Sequence, residues 1–405
     1  MPTLVRTDDV RRQNTRLVMD SLRRLQRVSR TEIVKQTGLS PATISSITST
    51  LISDGILISQ EHIGGLIGRG RPRIILSLRP EVGCIVALML SMNRLDARLQ
   101  DYAGQTIAQN HLDFDSKSTP APELFTQIDR LISELLARRS SHPTMPLRYI
   151  AVSVQGAVDV TRQTLLWSPV MADQDINIGE FLAKRFKVEV SVDNDCNLLA
   201  KALQWRYPEQ FGKHFAAILL SQGIGMGLML DGRLFMGTRT SGNEFGHMVY
   251  KPEGAECHCG QRGCIEAYAS EYAIFRRLST HKHDGAPPAA IDETMMRHFM
   301  QQALLQEGEE REAWREAGQA IGYGLRSLFA LTDPVPVALV GESAMIASLI
   351  EPEIYKILSK PGNNAEAEIK LLWYQDADDM IMQGCALVAL QAVDHSTQLT
   401  AGVVE

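Results

Sequence analysis

Apolar residues recur at helical spacing from Val10 to Ile52, then give way to short continuous apolar runs. Val10 to Gln26 carries Leu17, Val18, Leu22 and Leu25 at helical intervals, with Arg11, Arg12, Arg16, Arg23, Arg24 and Arg27 around them. Ser29 stands three residues before Glu32, a capping-box start for a second short helix with Ile33 and Val34. Gly38-Leu39 ends it. Ser40 and Pro41 open a third helix, Ser40 as N-cap and Pro41 at the first helical position. Its apolar stripe is Ile44, Ile47, Leu51 and Ile52. Its outward positions are Ala42, Thr43, Ser45, Ser46, Thr48 and Ser49. Gly55 then begins a hairpin, Ile56-Leu57-Ile58 and Ile74-Ile75-Leu76.

Beyond residue 80 the pattern repeats. Gly83–Leu90 and Leu95–Asp101 read as two strands joined by a turn, and so do Phe215–Leu220 and Gly225–Leu230. Each pair ends in a turn signal, Tyr102-Ala103-Gly104 or Asp231-Gly232. Helical stretches follow, Pro122–Arg138 and Arg311–Leu331. This predicts an internal duplication: two α/β lobes, each opening with a hairpin. Strand Tyr149–Val154 leads into Gln155-Gly156, and Val188–Val192 leads into Asp193-Asn194-Asp195, where such sheets place binding residues. Ala286–Ala290 reads as a loop. The organisation expected is a winged helix-turn-helix at 1–80, a first lobe at 81–200 and a second at 201–405.

Two short helices on a tight glycine turn, the second with a small polar face, form the helix-turn-helix pattern. Ser40, Ala42, Thr43, Ser45 and Ser46 are then candidate major-groove contacts. A plain three-helix bundle would show the same periodicity. The segment inside the hairpin, Gly68-Arg69-Gly70-Arg71-Pro72-Arg73, argues for DNA, because a slim cationic run suits a narrow minor groove. Arg69, Arg71 and Arg73 are its candidate contacts. Charge agrees: residues 1–80 hold 13 Lys/Arg against 6 Asp/Glu, and the remainder 28 against 41. A basic front on an acidic body fits a polyanion-binding module joined to a soluble domain.

Met1–Asp9 lacks the apolar core of a signal peptide, and no run reaches about 18 uncharged apolar residues. A cytoplasmic protein with no membrane partner is expected. Three of the six cysteines cluster as Cys257-His258-Cys259-Gly260-Gln261-Arg262-Gly263-Cys264, with His247 ten residues upstream of the first. Cys257, Cys259, Cys264 and His247 make a tetrahedral set of the type zinc takes. Gly260 and Gly263 would let the thiolates converge. A disulfide or three unconnected buried thiols is the alternative. Glu244 and Glu266 flank the cluster and are not needed as ligands.

Over almost its whole length the chain resembles the ROK family of repressors, open reading frames and sugar kinases, and its winged-helix repressors best. The motifs are Glu244-Phe245-Gly246-His247, the Cys-x-Cys-Gly-x-x-Gly-Cys-x-Glu block ending at Glu266, Asn194-Asp195, and the Gly-Arg-Gly-Arg-Pro wing. The resemblance implies an α/β body of two actin/hexokinase-like (ribonuclease H-like) lobes around a cleft. It implies that Asp195 matches the kinases' base, and that Asn194, Glu244, His247 and Glu266 bind sugar, with Gly156 beside them. The phosphate turn departs from the family's kinases. Leu90–Leu95 lacks their glycines, and Met92 and Asn93 stand where phosphate would sit; Arg94 could still attract an anion. Glu342 puts an acid near the nucleotide position, and Gln155 replaces a usual proline. The expected protein is a homodimeric or homotetrameric repressor that binds operator DNA, holds one structural Zn2+ per chain and senses a sugar or sugar phosphate. An ATP-dependent sugar kinase, or a repressor governed by a protein partner near the zinc loop, is the alternative.

Overall fold

The structure, a computed structural model, describes residues 7–61, 74–141, 145–280, 291–359 and 369–396. Arg69, Arg71, Arg73 and the loop at 286–290 lie outside them.

The N-terminal module comprises α1 (Thr7–Leu25), β1 (Val28–Ser29), α2 (Arg30–Thr37), α3 (Pro41–Ser53), β2 (Leu57–Glu61) and β3 (Ile74–Leu78). Its strands form one antiparallel sheet in the order β1-β3-β2. Local chemistry sets the helix ends as expected. Ser29 Oγ accepts from Glu32 N, and the Glu32 carboxylate accepts from Ser29 N at 2.8 Å. Gly38, at φ +70°, ends α2 in the left-handed conformation. Ser40 Oγ accepts from Thr43 N at 3.1 Å.

Two details differ from the sequence reading. Thr48 faces inward, its hydroxyl donating to Ile44 O and accepting from Arg30 Nε, both at 2.8 Å. It lies four residues after Ile44, on the stripe buried with Ile47 and Leu51. On α1 the buried apolar residues are Val18, Met19 and Leu22, whereas Leu17 and Leu25 are exposed. The helix turns its inner face toward the body as well as its own bundle.

The body runs β4 (Cys84–Ser91), β5 (Arg94–Asp101), β6 (Thr106–Asp113), α4 (Ala121–Ala137), β7 (Leu147–Val154), β8 (Ala157–Val158), β9 (Leu165–Trp167), α5 (Ile178–Phe186), β10 (Glu189–Asn194) and α6 (Asp195–Arg206). It continues with β11 (Phe215–Leu220), β12 (Ile224–Leu230), β13 (Arg233–Leu234), α7 (Glu266–Ala269), α8 (Glu271–Thr280), α9 (Glu293–Leu305) and α10 (Glu309–Thr332). It closes with β14 (Val337–Val340), α11 (Ala347–Leu358), β15 (Leu371–Tyr374) and α12 (Ala377–His395).

The two large sheets have the orders β10-β7-β4-β5-β6 and β15-β14-β11-β12-β13. In each, the first strand pairs antiparallel with the next and parallel with the one that follows a helix. The duplication therefore extends through both sheets. A third antiparallel strand, β6 or β13, lengthens each hairpin beyond the turn that seemed to end it.

Two helices cross between the lobes. α6 leaves the first sheet but packs on β11 and β12 of the second, while α12 packs on β4 and β7 of the first and along α6. Glycines permit the approach. A Cβ on Gly225 would overlap Cys196 Sγ, one on Gly227 the Cys196 carbonyl, and one on Gly384 the Leu198 carbonyl.

A buried ion pair seats the N-terminal module on α12. Arg23 Nε and Nη2 donate to the two Asp394 carboxylate oxygens at 2.7 Å, and Nη1 donates to Tyr102 O at 2.8 Å. The guanidinium lies 4.7 Å from the Tyr102 ring centroid, and Tyr102 Oη donates to Asp394 Oδ1 at 2.6 Å. Both charged side chains are 4% exposed. Beside them Arg24 stacks 4.2 Å from the Trp205 ring.

Removing one partner would strand the other charge in the interior. Arg23→Ala should therefore lower the unfolding free energy by about 3–5 kcal/mol. Arg23→Met combined with Asp394→Leu should recover at least half of that loss, because no unpaired charge remains. Equilibrium urea denaturation of the three proteins checks both expectations.

Candidate ligand cleft and metal centre

His247 and the three loop cysteines converge. Gly260 and Gly263 take φ +81° and +82°, and a Cβ on Gly263 would overlap the Lys251 carbonyl. The ligand atoms of His247, Cys257, Cys259 and Cys264 all lie within 4.8 Å of one another. His247 Nδ1 is 3.6 Å from Cys257 Sγ, and Cys259 Sγ is 3.7 Å from Cys264 Sγ. A tetrahedral ion with metal–sulfur bonds of about 2.3 Å sets its sulfurs about 3.8 Å apart. All three cysteines are free thiols. The cluster is thus built to accept a metal ion. Burial pushes the Cys257 and Cys264 thiols up, Cys264 to about 11, so the thiolates need a cation's charge to form.

The cluster adjoins the cleft through two shared side chains. His247 turns Nδ1 to Cys257 and sets Nε2 3.8 Å from Glu244 Oε2. Glu266 opens α7; its Oε2 accepts from Ile224 N at 2.9 Å, and its Oε1 lies 3.5 Å from Cys257 Sγ and 3.4 Å from the Tyr272 hydroxyl. It is buried, and not a fifth member of the cluster.

Gly156, Asn194, Asp195, Glu244, His247 and Glu266 line one cleft between the lobes. Asn194 ends β10 and caps α6: its Oδ1 accepts from Cys196 N, and its Nδ2 donates to Gly156 O, both at 2.9 Å. Asp195 is the first residue of α6 and is buried, with Oδ1 accepting from Cys196 N at 2.8 Å. Burial pushes its carboxyl up to about 6, against the pull of the Cys196 hydrogen bonds; the charges of Asp378 and Glu244 add to the rise. Gly156 takes φ +133°, and a Cβ there would overlap Trp167 O. It shapes the backbone and orients Asn194 instead of presenting a side chain. The Glu244 side chain is 55% exposed, but into the cleft, whose walls desolvate it and raise its pKa; His247 opposes the rise and Glu266 adds to it.

Sequence reasoning missed other lining residues, among them Trp167, Lys117 and His258. Trp167 comes from β9, a strand too short to show a period. His258 lies inside the cysteine motif, but its ring packs 4.0 Å from Tyr272 instead of joining the cluster.

The turn compared with a phosphate loop in the sequence carries side chains. Met92 and Asn93 form the two-residue turn between β4 and β5, with Asn93 at φ +58°. Asn93 N donates to Ser116 Oγ at 3.3 Å, and Asn93 Oδ1 accepts from Ser116 N at 3.2 Å. Arg94, which could still have attracted an anion, is held by Asp96 through Nε at 2.8 Å and Nη2 at 3.0 Å.

On α3, Ala42, Ser45 and Ser46 are exposed and Thr43 is half-buried; Ser40 is exposed with its hydroxyl engaged in the cap. Among the described residues, no helix is long and apolar enough to cross a membrane.

Comparison with known proteins places this arrangement. The chain is 23% identical over 388 residues to the xylose repressor of Caldicellulosiruptor bescii, covering 93% of this chain and 95% of that one. It is 25% identical over 354 residues to the DNA-binding transcriptional dual regulator NagC of Escherichia coli, covering 86% and 84%. Among solved structures, a ROK family transcriptional regulator homologous to the E. coli MLC protein superposes with a TM-score of 0.73 at 21% identity, covering 95% of this chain and 99% of that one. A ROK family glucokinase from Streptomyces griseus, solved with glucose and AMPPNP, covers only 76% of this chain, at a TM-score of 0.58 and 21% identity. The ROK family profile matches residues 87–392, well over half of the sequence, and the chain belongs to the ROK family.

Proposed function

We propose that this protein is a sugar-responsive transcriptional repressor in the cytoplasm, not an enzyme. One observation carries the reading. The sugar-facing residues converge in the cleft, while Asn93, locked to Ser116, occupies the turn that would cradle ATP phosphates. Full-length similarity to a xylose repressor and to NagC supports it. A homodimer or homotetramer presents two α3 helices to a pseudo-palindromic operator. Ala42, Thr43, Ser45 and Ser46 then face the major groove, and the arginines at 69, 71 and 73 reach the minor groove or phosphates.

The metal is zinc, held by His247, Cys257, Cys259 and Cys264. Its task is structural: it fixes the loop behind Glu266 and leaves His247 Nε2 to address the ligand. Asn194, Asp195, Glu244 and Glu266 take the sugar hydroxyls, since carboxylates accept and an amide both accepts and donates. A sugar that bridges the two lobes favours their closure, moves the mounting of the DNA module and releases the operator. It shifts this equilibrium only by its difference in affinity for the two states.

A kinase is the second reading; Asp195 at the cleft fits both, since it would bind a sugar hydroxyl in either. A coupled assay with ATP over a sugar panel should find no turnover near about 1 per second, the low end for ordinary enzymes.

Three further outcomes are expected. Elemental analysis should return one zinc per chain, and Cys259→Ser should lower that content and the melting temperature together. Ser46→Glu, which puts an anion on the α3 face, should weaken operator binding at least about tenfold in a mobility-shift titration. Asp195→Asn should have two signatures. Because the folded Asp195 pKa lies above its unfolded value, the folded state holds the proton more tightly, and the wild type loses stability as pH rises from about 4 to about 6. The variant should therefore be more stable at pH 8, by on the order of 1–3 kcal/mol, with the advantage gone below pH 4. It should also bind the operator but no longer release it on sugar addition.

A further inference from the structure

Behind Asp195 the cleft continues into a recess lined by Ser91, Ser153, Gln155, Ser221 and Asp378, with Asp195 forming the shared wall. No lysine, arginine or histidine lines this recess among the described residues. We infer that the cleft admits an uncharged sugar and rejects its phosphate esters, with Asp378 as the residue that excludes them. The inference rests on the effector reading above and narrows its ligand class.

Three features would receive a phosphate here, and each is disabled. Backbone N–H groups at the β4–β5 turn are the first, but Asn93 N already donates to Ser116 Oγ. A free guanidinium is the second, but Asp96 holds Arg94 through two nitrogens and Asp113 lies 4.0 Å from a third. A net positive field is the third, and here the sign is reversed. Burial raises the pKa of Asp378, and the charges of Asp96 and Glu342 raise it further, with only Arg94 opposing. Asp195 is pushed up in the same direction, with Asp378 among the causes. Two carboxyls facing one recess with no cation in its lining repel a dianion, and the repulsion from buried Asp195 is little screened by water.

Lys117 is the competing feature. Among the described residues it is the one lysine or arginine lining the main cleft, and it is exposed. An exposed ammonium contributes little to an ion pair, whereas Asp195 is buried and Asp378, though exposed, lines a recess that holds no cation. A neutral hydroxyl meets none of this repulsion and gives Asp195 a hydrogen-bond donor.

Isothermal titration of the full-length protein with glucose, mannose and N-acetylglucosamine, and with the 1- and 6-phosphates of each, tests the inference. A neutral sugar should bind, and its esters should bind at least 100-fold more weakly. Asp378→Asn should cut that ratio at least tenfold, and Lys117→Ala should leave it within twofold. An ester that binds as tightly as its parent sugar overturns the inference and leaves the effector reading standing. So does a ratio that Asp378→Asn does not move. If none of the sugars or esters binds, the effector reading falls and the inference falls with it.

Discussion

The structure depends on how closely α6 is held. This helix begins at the edge of the first sheet, crosses to the second, and is clamped there between β12 and α12. Gly227 on one side and Gly384 on the other leave no room for side chains, so backbone meets backbone, and Gly225 makes way for the Cys196 thiol. A helix held this tightly has one available position, and the Asn194 cap and Asp195 sit at its first turn. The burial that raises the pKa of Asp195 follows from the same clamp. Site and scaffold are one construction: the element that joins the lobes also carries the groups between them.

The metal loop completes the opposite wall by a different means. The 244–265 segment has little regular structure, so side-chain chemistry must hold it. Four convergent ligands close the loop, Glu266 ties it to β12 through Ile224 N, and Tyr272 packs beneath. Glu244 and His247 are thereby brought opposite Asp195 without a strand or long helix beneath them. One wall of the cleft is held by packing and the other by a loop on which four metal-ligand side chains converge.

Much of this was legible in the chain. The helix starts at Ser29 and Ser40 were readable because capping is local, and so was the cluster, because ligand spacing and glycine turns lie within eighteen residues of sequence. Thr48 and the face of α1 were misjudged because tertiary contacts, with Arg30 and with the body, decide them. Residues that touch only through folding left no trace. Nothing in the spacing of Arg23, Tyr102 and Asp394 announces that they meet. The Arg94–Asp96 pair is different: two apart on β5, the residues share a face, and the strand period could have shown it. Gly225 read as the start of a strand, yet the space it gives up is needed by Cys196.

The Arg23–Asp394 pair spans 371 positions. During synthesis at about 5–20 residues per second, α1 waits roughly 20–75 s for the partner that seats it. The helices around it can form meanwhile from local signals, because their caps and turns need nothing downstream. A helix made early is thus fixed in place late. A chain lacking Asp394 would keep its α3 face and lose the pair that seats α1 on α12, so a residue far along the sequence decides how firmly that face is held by the body.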